Sequence, residues 1–304
     1  MIDAYLREKR ILVEQTLDQH LPTADTPPSL IHEAMRYAVL GGGKRVRPIL
    51  AIAAAEACGA DTNPLLPSFA ALELIHTYSL VHDDLPALDD DDLRRGRKTT
   101  HVVYGEAMGI LAGDALLTDA FALLAREPGA DAAARIGEGE LARRKLHAIR
   151  LVADAAGSDG MVGGQALDLR AAEPGAAPLD QHGLREMHAR KTGALLRASA
   201  LSGAAMAGAT GGLLDAVAEY GTHIGLAFQF VDDILDVEEA SAVLGKTSGK
   251  DAAAGKPTYP SLYGLDESRR RARSSLEQAL GALGRAGLGG QLPAIAEWVV
   301  SRRN

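Results

Sequence analysis

His76-Thr77-Tyr78-Ser79-Leu80-Val81-His82-Asp83-Asp84-Leu85-Pro86-Ala87-Leu88-Asp89-Asp90-Asp91-Asp92-Leu93-Arg94-Arg95-Gly96 is the stretch on which the reading of this chain turns. An apolar, Ala- and Leu-rich helical segment, residues 67–82, runs straight into six aspartates and then two arginines. Pro86 lacks an N–H and crowds the preceding turn, so it should end or distort the helix and let Asp89 curl back towards Asp83. Carboxylates attract hard cations such as Mg²⁺. Arginines grip phosphate oxygens, often two at a time. Acid and base side by side point to one ligand that is both metal-bound and phosphorylated.

A second acidic stretch, Phe228-Gln229-Phe230-Val231-Asp232-Asp233-Ile234-Leu235-Asp236, answers the first. Asp232 and Asp236 are four apart and share a helix face, with Asp233 on the neighbouring flank. Clustered carboxylates resist joint ionisation unless a cation neutralises them. Two such clusters facing each other therefore predict a group of Mg²⁺ ions bridged by a di- or triphosphate. Cations gathered at Lys44, Arg47, Arg94, Arg95, Lys191, Lys246 and Lys256 suggest two polyanions, one beside the metals and one held by basic side chains. No nucleophile–base pair is evident, so the metals would act as Lewis acids that draw off a diphosphate leaving group.

The remainder sets the frame. At 304 residues the chain is long for one domain, yet within reach of one large helical fold spanning 1–304. With 47% hydrophobic residues it can bury a sizeable core, and its net charge of −8 argues against a nonspecific nucleic-acid binder. The single Cys58 excludes an intrachain disulfide framework and fits a reducing cytoplasm. No signal peptide is evident, and no apolar run reaches the roughly 18 residues of a membrane span. Asp114 and Asp119 interrupt the apolar helix expected over 106–125.

Helices are expected near 2–20, 29–40, 49–58, 67–82, 106–125, 138–150, 181–206, 213–238 and 266–303, with a loop over 93–105. Gly41-Gly42-Gly43 precedes the basic Lys44-Arg45-Val46-Arg47-Pro48 at a helix start, where free N–H groups favour anions. Taken alone, His76 reads as a core histidine satisfied by a backbone carbonyl. Gly163, Gly164, Gln165 and Asp168 read as close-packing glycines and polar helix positions. Lys191, in an otherwise apolar helix, needs a partner or an anion. No β-rich segment, nucleotide-binding glycine motif or repeat appears, and helices joined by Gly/Pro turns indicate an all-α bundle.

These motifs, in this order and spacing, resemble the short-chain trans-polyprenyl diphosphate synthases, the bacterial farnesyl diphosphate synthase group above all. The likeness runs from Gly41-Gly42-Gly43-Lys44-Arg45-Val46-Arg47-Pro48 to Lys256-Pro257-Thr258-Tyr259-Pro260. It implies a helical bundle of the isoprenoid synthase type with a central cavity, and a homodimer. It also implies two or three Mg²⁺ per subunit, held by Asp83, Asp84 and Asp89 on one side and by Asp232, Asp233 and Asp236 on the other. By the same resemblance, Arg94, Lys191, Lys246 and Lys256 steady an allylic diphosphate, dimethylallyl or geranyl. Lys44, Arg47, His76 and Arg95 hold isopentenyl diphosphate, which overturns the bland reading of His76. Thr192, Gln229 and the Lys191 carbonyl would stabilise the carbocation, while Asp90, Asp91 and Asp92 have no implied role beyond shaping their loop.

Product length is read from Tyr78, five residues before Asp83 and about 7.5 Å deeper along the helix. A phenol there can floor the pocket at fifteen carbons, as in farnesyl-making relatives, while the small Ser79 beside it leaves a C20 geranylgeranyl product open. Class I terpene cyclases and head-to-head synthases are the nearest rivals. Lys44, Arg47 and Arg95 argue against them, because a condensing enzyme needs a second, metal-free diphosphate pocket. A non-enzymatic helical interaction subunit would carry the same acidic stretches as solvated faces.

Overall fold

The computed structural model describes residues 2–126, 134–173, 175–177, 179–242 and 258–302, the side chains of 239–242 excepted. Helices follow the sequence breaks. The first four are α1 (Ile2–His20), α2 (Ser29–Val39), α3 (Val46–Ala57) and α4 (Leu66–Asp83). The expected loop over 93–105 is instead a two-stranded hairpin, β1 (Leu93–Arg94) against β2 (Arg97–Lys98), followed by the short α5 (Thr100–Tyr104). Its corner residues Arg95 (φ 53°) and Gly96 (φ 74°) are both left-handed, the geometry that matches the twist of a two-residue hairpin. Then come α6 (Glu106–Ala125), α7 (Glu138–Ala156) and α8 (Met161–Ala172).

The helix expected over 181–206 arrives in three pieces: α9 (Gln181–His188), a π-helical turn (Ala189–Gly193) and α10 (Ala194–Ala207). α11 (Gly212–Ala242) is the longest helix described. After α12 (Tyr259–Tyr263), the expected single C-terminal helix divides into α13 (Leu265–Ala286) and α14 (Leu292–Ser301). Gly287 (φ 65°) and Gly290 (φ 64°) make the break, in a conformation that opposes helix continuation.

The centre of the bundle is made by helices that are apolar on every side, as buried helices must be. Every residue of α3 from Arg47 to Ala55 is buried, as is every residue of α4 from Ser68 to Ile75. On α10, a Cβ at Gly203 would run into the Ala51 carbonyl of α3, so glycine sets how closely these two helices approach. α4 also packs on α6, α10 on α7 and α11, and α11 on α13. α13 is amphipathic, burying Ala272, Ala279 and Leu283 while Arg269 and Arg285 pair outward with Glu238 and Glu219.

Among the described residues one helix, α6, is long and apolar enough to cross a membrane by length and composition, which the sequence reading did not expect. It carries Glu106, Asp114 and Asp119 and lies along α4 in the bundle. Ile110 and Leu111 on its outer side are about half exposed.

Candidate active site

The buried α4 delivers its C-terminus to the site. The chain then folds back as Pro86 requires: the Asp89 N–H donates to the Asp83 carbonyl (2.8 Å) and the Asp91 N–H to the Asp84 carbonyl (3.1 Å). Thr99 Oγ1 donates to the Asp91 carbonyl at 2.7 Å, and Asp90 takes a left-handed φ of 51°, so the backbone of this stretch makes the turn. Asp83 is pushed up to about 6, first by burial and then by Asp89 and Asp84, against the pull of Lys191 and Arg94. Asp84 is also raised, chiefly by burial. Arg94 turns to this wall, its Nε and Nη2 both donating to Asp84 Oδ1 at 2.7 Å. Expected on the allylic diphosphate, Arg94 here neutralises a motif carboxylate instead.

The second wall divides its aspartates. Asp232 accepts from Arg302 Nη2 at 2.6 Å, and Arg302 also reaches the Phe228 carbonyl at 2.9 Å from the end of α14. Burial raises the Asp232 carboxyl against the pull of Arg302, Lys44 and Arg47. Its side chain is still 41% exposed, so it sits in a wetted recess rather than a dry core. Asp236 lies one turn further along the helix and is exposed. Asp233 does not join them. It is buried, and its oxygens accept from Gln229 Nε2 (2.7 Å) and from the Tyr259 N–H (2.8 Å). In this arrangement Asp233, expected among the metal ligands, ties α11 to α12, and the amide of Gln229, expected beside the carbocation, is turned to Asp233.

The basic group assembles around His76. Burial first, then Arg47, Arg95, Arg94 and Arg45, hold its imidazole well below the ordinary range, so it is neutral. Arg47 is buried with its Nε unpartnered, and burial lowers its guanidinium to about 10 despite Glu73 and Asp232. Arg45 is structural: Nη1 donates to Glu73 (2.8 Å) and Nη2 to the Val39 carbonyl (2.7 Å). Arg95 donates to the Gly42 carbonyl. A Cβ at Gly43 would strike the Arg95 guanidinium, so the glycine run admits that arginine.

Lys191 lies in the π-helical turn, an element that often marks functional sites. Two glycines clamp it: a Cβ at Gly164 of α8 would enter the Lys191 backbone, and one at Gly225 of α11 would meet Gly193. Lys191 Nζ pairs with Asp168 Oδ2 at 2.6 Å. Asp168, read from sequence as a plain polar position, is thus the partner that Lys191 needed.

Asp83, Arg47, His76, Lys191 and Thr192 meet in the wall of one cavity of about 370 Å³. Tyr78, Ser79, Leu88, Met161, Val162 and Leu169 are among the residues of its largely apolar lining. Asp232 and Gln229 are not part of that wall, and Asp232 connects to it electrostatically through Arg47. Arg94 and Arg95 line a smaller recess of about 60 Å³ that shares Leu80 with the main cavity. Lys246 and Lys256 lie outside the described residues.

The donor set fits magnesium. It consists of carboxylate oxygens, with Asp83 pushed up by burial and like charge, a repulsion that a cation relieves, and no cysteine beside them. Among the described residues no three carboxylate, imidazole or thiol groups converge as a ready-made cage. Magnesium takes one or two carboxylates and completes its shell with waters and substrate phosphates.

An all-α bundle encloses a largely apolar cavity with the Asp83 carboxyl, the buried Arg47 and Lys191 in its wall, a lining suited to a hydrophobic chain bearing phosphate. The polyprenyl synthetase family model matches residues 28–286, and the chain belongs to that family of prenyltransferases of isoprenoid biosynthesis. It is similar to a chloroplastic geranylfarnesyl diphosphate synthase of Leucosceptrum canum, at 46% identity over 282 residues, 91% of this chain and 74% of that one. It is 44% identical over 282 residues, with the same coverage, to a heterodimeric geranylgeranyl pyrophosphate synthase large subunit of Arabidopsis thaliana. An apo crystal structure of an FPP/GFPP synthase from Zymomonas mobilis superposes with a TM-score of 0.83 at 35% identity, covering 98% of both chains.

Proposed function

We propose that the chain condenses isopentenyl diphosphate head-to-tail (1′-4) with dimethylallyl or geranyl diphosphate to give farnesyl diphosphate. The observation that carries this reading is the shared cavity, with Asp83 at its acidic end, the unpartnered Arg47 in its basic wall and Tyr78 among its apolar residues. Magnesium, when bound by Asp83, Asp84, Asp89, Asp232 and Asp236, supplies positive charge for a departing diphosphate. Asp168 fixes the Lys191 ammonium where it can hold that diphosphate. Arg47, neutral His76 and Arg95 bind the second diphosphate, with Lys44 beside them. The allylic C–O bond breaks, the isopentenyl double bond attacks the allylic carbon, and the proton lost from the new cation passes to the released diphosphate. Leu80, Leu88 and Met161 present apolar surface to the cation and keep water from that side of it.

Tyr78 is 6% exposed and packs edge-on against His82 at 5.8 Å, a rigid floor suited to fifteen carbons. A geranylgeranyl product is the second reading. It is favoured by the relatives named for longer products and by Val162 and Leu169, cavity residues that are also solvent-exposed and leave that wall open. A second copy of the chain over the exposed Ile110 and Leu111 of α6 would give the homodimer. Product chromatography after incubation with isopentenyl and dimethylallyl diphosphates tests the assignment. C15 is expected from the wild type and longer chains from Tyr78→Ala. Unchanged C15 from the folded variant removes Tyr78 as the floor.

A further inference from the structure

A second cavity, of about 200 Å³, shares no residue with the first. Its wall includes Arg185 of α9, His223 and Phe230 of α11, Tyr259 of α12, and Arg271 and Ser275 of α13. Tyr259 is 1% exposed, and its hydroxyl has no hydrogen-bond partner among the described residues. The His223 Nδ1 is likewise buried and unpartnered. Burial, with Arg185 and Arg285, pushes this imidazole down against the pull of Glu219, so it is neutral. The carboxylate nearest it by charge, Glu219, is already bound by Arg285 at 2.6 Å. Arg271 spends its Nε on Glu267 (2.8 Å) and lies over the Tyr263 ring at 3.9 Å, and its terminal amines make no hydrogen bond among the described residues. Arg185 makes no ion pair among the described residues, although the chain carries eight more acidic than basic side chains (40 against 32).

Water could satisfy a phenol or an imidazole singly, but these two buried polar groups share the wall with the exposed Arg185 and with Arg271, whose Nε alone is taken by Glu267, and a ring of donors of this kind suits an anion. A tetrahedral oxyanion offers enough acceptors for both arginines, the Tyr259 hydroxyl and Ser275 at once. We propose that this cavity is a phosphate-class anion site, distinct from the substrate cavity, for inorganic phosphate or for the diphosphate that the proposed reaction releases. The site itself does not depend on that reaction. It adjoins the second acidic cluster, because the residue that offers its hydroxyl here, Tyr259, gives its backbone N–H to Asp233.

The test is calorimetric titration of the full chain in EDTA with inorganic phosphate and, separately, inorganic diphosphate. The wild type, Arg185→Gln/Arg271→Gln, Tyr259→Phe and Lys44→Gln/Arg47→Gln are compared, with circular dichroism as the folding check. Phosphate binding that survives Lys44→Gln/Arg47→Gln, weakens at least about tenfold in Arg185→Gln/Arg271→Gln and weakens about threefold in Tyr259→Phe supports the site. Diphosphate binding with the same variant pattern and tenfold tighter than phosphate assigns it to the reaction product; equal affinity assigns it to free phosphate. No phosphate binding to the wild type at millimolar concentration overturns the proposal. So does equal affinity in wild type and Arg185→Gln/Arg271→Gln.

Discussion

The two acidic stretches look alike in sequence and are built differently. At the end of α4, Asp83 faces a cavity, and burial with neighbouring carboxylates raises it to about 6. On α11, Asp233 gives its oxygens to Gln229 and Tyr259, while Asp232 is met by Arg302. Each cluster has one carboxylate met by an arginine, Asp84 by Arg94 and Asp232 by Arg302, but the first leaves Asp83 raised by burial and like charge, which a cation can relieve, whereas in the second Asp233 is taken up by hydrogen bonds within the protein. An aspartate pair in sequence therefore does not imply two equal ligands: the neighbour's backbone decides which carboxylate remains available.

The contrast can be broken most forcefully at Asp83. Asp83→Asn should lower condensation by at least about a hundredfold in a steady-state assay, since it removes charge that a metal needs. At the second cluster, Asp232→Asn should give a loss of similar order with little change in melting temperature. Asp233→Ala should instead lower stability by about 1–3 kcal/mol in urea titration, because it strands the buried Tyr259 N–H and the Gln229 amide. Equal melting of the Asp232 and Asp233 variants would erase the distinction drawn here. Gly164→Ala forces a methyl into the Lys191 backbone, and a cost of about 1–3 kcal/mol with impaired turnover is expected.

The smallest effect is in pH. Asp83 titrates near 6 in the folded chain and at 3.8 as an ordinary aspartate. Between these values the folded state holds the extra proton, so this group's contribution to stability falls as pH rises from about 4 to 6. The opposite sign applies to His188, pushed down to about 4 chiefly by burial, whose contribution is lost as pH falls from 6.5 towards 4. Comparing metal-free wild type with Asp83→Asn isolates the first: their stabilities should agree near pH 4, and the variant should lead by on the order of 1–2 kcal/mol at pH 7.

The sequence made much of this legible because its signals are local. Pro86 predicts the return of Asp89 to Asp83, glycines mark close approaches, and a lysine in an apolar helix asks for a partner. Pairings over long separations were beyond it. Asp168 lies 23 residues from Lys191 and Arg302 lies 70 from Asp232, and no periodicity connects them. The π-helical turn adds one residue to a helical repeat, too small a change to show among Ala189-Arg190-Lys191-Thr192-Gly193. The hairpin at 93–98 hid because an arginine, rather than asparagine or aspartate, occupies the first left-handed corner.

The two unequal clusters are proposed to serve one diphosphate through shared metal. Calorimetric titration with a methylene bisphosphonate, with and without Mg²⁺, tests it most directly on wild type, Asp83→Asn and Asp232→Asn. Magnesium-dependent binding to the wild type, lost in both variants, is the expected result. Magnesium-dependent binding that persists unchanged in either variant would contradict it.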